Sequence, residues 1–136
     1  MASGNEIMLS HLNKLAEKVV KDERWKVECD DFSLSIFGML LYGYALSVGL
    51  VFGLPKGDFT DAMVAEVIMK HTGAAEKWTT GLVAEARRSA FDKAYHSGQY
   101  DLIAAGHTYM DADNVDVMVD NVFGNIKVFR DLAVKG

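Results

Sequence analysis

A single cysteine, Cys29, leaves this chain without an intramolecular disulfide and fits a reducing compartment. There is a single proline, Pro55, and no Ser/Gly-rich tract, so no linker divides the 136 residues and they read as one domain. No internal repeat is present. Positive charge is never concentrated. The densest basic group, Lys14, Lys18, Lys21, Arg24 and Lys26, is interrupted by Glu17, Asp22, Glu23 and Glu28. With a net charge of −5, that excludes the clustered Lys/Arg footprint of a nucleic-acid binder. The N-terminal MASGNEIMLSHLNKLAEK lacks the basic-then-apolar order of a secretory signal. The cytoplasm is the expected compartment.

Catalytic and metal-binding motifs are missing as well. His11, His71, His96 and His107 never stand one helical turn apart, and neither HExxH nor Glu-x-x-His occurs. No metal or cofactor is therefore expected. A calcium loop beginning at Asp111 needs oxygen ligands at its third and fifth places, glycine at the sixth and glutamate at the twelfth. Asp113 fits, but Val115, Asp116 and Val122 fill the other three places, so helix capping explains these acids better. Cys29 lies among Glu28, Asp30 and Asp31, a setting that works against a reactive thiolate, and it reads as a buried structural thiol. GxSxG is absent, and no glycine run precedes a helix to cradle phosphate. The paired Arg87 and Arg88 read as a solvated helix face.

What the chain does have is hydrophobicity, 50% of its residues, and one uncharged stretch, residues 32–54, FSLSIFGMLLYGYALSVGLVFGL. Its length matches the roughly 20 apolar residues of a membrane span. Asp31 can cap its start, and Pro55 cannot continue it. As a helix it carries a small face of Gly38, Tyr42, Ala45, Gly49 and Gly53 and a bulky one of Phe37, Leu41, Tyr44, Val48 and Phe52. Ile36, Leu40, Gly43, Ser47, Leu50 and Leu54 make the third. A helix apolar all round is either the centre of a bundle or a membrane span. The flanking charges, Asp30 and Asp31 against Lys56 and Asp58, show no topogenic bias. Several amphipathic segments elsewhere need an apolar partner, which favours the buried central helix.

Those segments follow in order. Asn5 is the expected cap of a first helix carrying the stripe Met8, Leu12, Leu15 and Val19 and ending near Glu23. Trp25, Val27 and Cys29 alternate with polar residues, which allows a short extended piece or a continued helix. After the turn Pro55-Lys56-Gly57, Asp58 and Asp61 resemble a capping box. The third helix there buries Met63, Val64, Val67, Ile68 and His71 and stops at Gly73. A fourth is expected over 75–97 with Gly98 as its stop, and a fifth over 100–110. Asp113 or Asn114 can cap a last helix carrying Val115, Val119, Val122, Ile126, Phe129 and Ala133. The expectation is an all-α bundle of about six helices around a long buried central one.

With no catalytic constellation, the chain reads as a small acidic protein-binding module, of the inhibitor, immunity, chaperone or adaptor type. The expected partner is another protein, basic if charge steers it, or a second copy in a homodimer. The candidate interface joins Asp111, Asp113, Asp116 and Asp120 to Tyr109 and Met110 as apolar anchors. The alternative is a ligand-binding or catalytic bundle. Its pocket would be floored by the small face at Gly38, Ala45 and Gly49, and Tyr42, Tyr44, His96 and His107 are its candidate polar residues. A single-span membrane protein is the third reading.

Overall fold

A computed structural model of the chain describes residues 3–135. Seven α-helices and no strand are present among them: α1 Gly4–Lys21, α2 Glu23–Glu28, α3 Asp31–Phe52, α4 Asp58–Thr72, α5 Glu76–Phe91, α6 Ser97–His107 and α7 Val115–Lys135. One 3-10 turn, Thr108–Asp111, joins α6 to the last connection. The all-helical expectation holds. The helix beyond the expected six is α2.

Local chemistry fixes the ends. The Ser3 hydroxyl accepts from Glu6 N at 3.1 Å, so Ser3 caps α1 and not Asn5, which already lies inside the helix. Asp22 works twice: its N–H bonds Val19 O, closing α1, and its carboxylate takes Arg24 N at 2.9 Å, opening α2. That cap turns the alternating Trp25-Val27-Cys29 segment into a helical turn rather than an extended piece. Trp25 is buried edge-on against Phe37, whereas Val27 is 84% exposed. A strand would have put both on one side.

The cap of α3 is Asp30, one residue before the expected Asp31; its carboxylate accepts from Ser33 N at 2.8 Å. The same carboxylate binds Arg130 of α7 at 3.0 and 3.1 Å. The far end stops before Pro55, because Gly53 adopts the left-handed conformation (φ 65°) and Leu54 N reaches back to Gly49 O at 2.9 Å. Gly57 precedes α4 with no side-chain cap; Asp58 and Asp61 instead both accept from Arg87 of α5, at 3.0 and 3.1 Å. The expected helix over 75–97 is divided. It ends at Phe91, the chain turns through 92–96, and His96 Nδ1 accepts from Gln99 N at 3.1 Å to start α6, so Gly98 begins a helix rather than ending one. The break lets α5 and α6 pack on each other and both on α3. Asn114 caps α7 through Val117 N at 3.1 Å. Its buried face is Met118, Val119, Val122, Phe123 and Ile126, with Val115 and Phe129 half-buried and Ala133 exposed.

Helix α3 touches α1, α4, α5, α6 and α7, and the buried side chains form one continuous cluster around it. Among the described residues it is the one helix long and apolar enough to cross a membrane, yet 72% of its apolar window is buried inside the bundle. Its glycines are mostly filled space. A Cβ on Gly38 would come within 2.5 Å of Leu82 Cδ2, and one on Gly49 would sit 3.8 Å from Met8 Cε. Gly43 and Gly106 go further: a Cβ on either would overlap a backbone carbonyl of the other helix, Ile103 O and Leu40 O respectively. Helices α3 and α6 therefore meet backbone to backbone.

Two outcomes follow. Gly43→Ala or Gly106→Ala drives the helices apart and should cost about 3 kcal/mol or more in urea unfolding. Gly81→Ala, whose added methyl meets nothing, should be neutral or stabilising by roughly 0.5–1 kcal/mol. The Asp30 carboxylate is held well below the usual carboxylate range by Arg130 first and the Ser33 N–H second. A depressed carboxylate stabilises the fold above its unfolded pKa of about 4 and loses that contribution as pH falls below it. Asp30→Asn should flatten the acid limb of stability measured between pH 5 and pH 2 and cost about 1 kcal/mol at neutral pH.

Candidate functional site

Two aspartates of the candidate acidic patch are engaged within the fold. Asp111, Asp113, Asp116 and Asp120 are all exposed, on the 3-10 turn, the connection after it and the first turns of α7. Asp116, however, pairs with Lys18 of α1 at 3.3 Å, and Asp120 with Arg24 of α2 at 2.9 Å. These charges stitch α7 to the N-terminal helices. Asp111 and Asp113 make no ion pair among the described residues. Tyr109 is 3% exposed, donates its hydroxyl to Asn121 Oδ1 at 2.7 Å and leans on the Tyr44 ring. It is a core strut, almost wholly covered by its neighbours. Met110 is half-buried.

The four candidate pocket residues do not meet. Tyr42 is fully buried and donates to Asp61 Oδ1 at 2.6 Å, while Asp61 Oδ2 accepts from Arg87, so the tyrosine ends a chain of polar contacts tying α3 to α4 and α5. Burial raises its pKa first, and the Asp61 bond adds to that. His96 is exposed and occupied as the cap of α6. His107 is exposed and borders an apolar cleft with Leu46, Leu50 and Phe91. Tyr44 lines a different cleft, between α1 and the start of α7. The space expected over Gly38, Ala45 and Gly49 is taken up by the bundle itself, Gly38 by Leu82 and Gly49 by Met8.

Other expectations shift too. Cys29 is exposed in the α2–α3 connection rather than buried. Arg87 is engaged with Asp58 and Asp61, and Arg88 stacks 3.9 Å over the Tyr95 ring. His71 Nε2 donates to Asn13 Oδ1 at 2.8 Å, and burial lowers its pKa, so it is a neutral strut between α4 and α1. No group of three or more His, Cys, Asp or Glu suited to a metal occurs among the described residues.

One surface was missed by sequence reasoning. The last turn of α3 leaves the bundle: Leu50 is 63% exposed, Val51 59% and Phe52 45%. Phe91, at the end of α5, is 71% exposed and shares a cleft with Leu46, Leu50 and Pro55. Lys56, Thr60 and His107 complete that cleft. The uncharged run continues past the point where neighbours stop covering it, and no periodicity marks that point.

In class, then, this is an all-α bundle built on a buried central helix, with an apolar tip where that helix emerges. No protein-family model, no curated protein and no solved structure matches the chain.

The polar chain at Tyr42 can be tested by itself. Tyr42→Phe should cost about 1 kcal/mol, because Asp61 keeps Arg87 and some access to water. In a double-mutant cycle, adding Asp61→Asn should give less than the sum of the two single changes in chemical denaturation.

Proposed function

We propose that this protein is a small non-enzymatic protein-binding module that docks through the apolar tip of α3. The observation behind the reading is the exposure of Leu50, Val51, Phe52 and Phe91 at one end of the fold, where Leu50 and Phe91 line one cleft, whereas the other exposed large apolar side chains, Val27, Val117, Val128 and Leu132, lie on α2 and α7. Apolar groups that adjoin on a surface mark contact sites, because covering them removes area from water at about 25 cal/mol per Å². The net charge of −5 favours a partner that is basic around that contact. The matched pairs Lys18–Asp116 and Arg24–Asp120 leave the acidic patch a secondary role in steering.

The test is affinity capture with the immobilised protein beside two double variants. Leu50→Glu with Phe91→Glu should weaken retention of a discrete partner by about tenfold or more. Asp111→Asn with Asp113→Asn should weaken it by less than about threefold. A concentration-dependent dimer in light scattering, broken by the first pair, would make the partner a second copy. Equal retention by wild type and the tip variant would overturn the reading. So would co-sedimentation with lipid vesicles, which would assign the tip of the one span-length helix to a bilayer.

A further inference from the structure

A second feature lies away from the tip, where α1 passes the start of α7. A cleft of about 260 Å³ opens there, lined by Ser10, His11 and Lys14 of α1, Tyr44 of α3, and Asn114, Val115 and Met118 at the entry to α7. Tyr44 is only 4% exposed, and its hydroxyl has no hydrogen-bond partner among the described residues. The other two tyrosines of this core are satisfied, Tyr42 by Asp61 and Tyr109 by Asn121. The Tyr44 hydroxyl therefore opens onto the cleft, and an acceptor on a group that fills the cleft would replace water as its partner.

The surroundings define what that group is. Lys14 forms no ion pair among the described residues, whereas its neighbours Lys18 and Lys21 are matched by Asp116 and Glu17. The start of α7 adds the partial positive charge of a helix N-terminus. Burial raises the Tyr44 pKa, so the phenol stays a donor at neutral pH. His11 Nδ1 donates to Ile7 O at 2.9 Å, since a carbonyl only accepts, and this holds the ring in place at the wall of the cleft. The one acid nearby in α7, Asp116, is occupied by Lys18. One uncommitted cation suits a monoanion better than a phosphate dianion, and Val115 and Met118 offer an apolar wall to a carbon skeleton.

We propose that this cleft binds a small organic carboxylate, its carboxylate held between the Tyr44 hydroxyl and the Lys14 ammonium and its carbon portion against Val115 and Met118. The site is independent of the tip of α3, and either can fail without the other.

Benzoate is the probe, with benzamide as its neutral counterpart and inorganic phosphate as a bare anion. Amide chemical shifts of the full chain are followed through a titration of each. The expected result is saturable movement of the Lys14, Asn114 and Asp116 amides with benzoate. Affinity should fall about tenfold in Tyr44→Phe and roughly threefold in Lys14→Gln. Lys14 is exposed, so Lys14→Gln keeps the fold and decides the matter if Tyr44→Phe does not fold. Three results would overturn the proposal. They are no saturable shift at those amides, benzamide binding as tightly as benzoate, or phosphate binding more tightly than benzoate.

Discussion

The backbone contact between α3 and α6 is the constraint on which the other packing depends. Gly43 and Gly106 remove the side chains that would hold two helices at their usual 8–10 Å separation. Each then receives a carbonyl of the opposite helix, Ile103 O at Gly43 and Leu40 O at Gly106. With α6 drawn in on that side, α3 still has room for α1, α4, α5 and α7 around it. Glycine costs about 1 kcal/mol in a helix interior, so the close approach must return more than that in contact and area removed from water.

Charge plays a different part. The ion pairs Lys18–Asp116, Arg24–Asp120, Arg87–Asp58, Arg87–Asp61 and Arg130–Asp30 each join one helix to another across a seam, mostly at the surface. Surface pairs contribute little energy individually. Their effect is on register: α7 carries Asp116, Asp120 and Arg130 on its inner borders and meets complementary partners on α1, at Asp22's neighbour Arg24, and at the cap of α3. An acidic protein thereby uses several of its carboxylates internally. The surface left over is less acidic at α7 than the count of aspartates implies.

Much of the fold was legible from residue order. Stripes such as Met8-Leu12-Leu15-Val19 and Val119-Val122-Ile126 mark buried helix faces, because the 3.6-residue period puts them on one side. Gly73 ended α4 as expected, in the left-handed conformation. The misses were local competitions. Asp30 displaced Asp31 as a cap because its carboxylate reaches Ser33 N and Arg130 together. Asp22 made a helix of a segment patterned for a strand. His96 broke a long apolar-periodic run by capping a new helix inside it.

The candidate sites were less legible. Tyr44 was singled out with Tyr42, His96 and His107, yet only the fold separates a tyrosine satisfied by Asp61 from one facing a cleft with Lys14. Sequence alone determined an all-helical chain with one uncharged central helix, because hydrophobic periodicity and the long charge-free run are properties of neighbouring residues. Tertiary structure alone decided which glycines touch, which acids are matched, where α3 emerges and which hydroxyl is left without a partner. Those depend on residues far apart in sequence, such as Gly43 with Ile103 and Lys18 with Asp116, whose meeting no local pattern encodes.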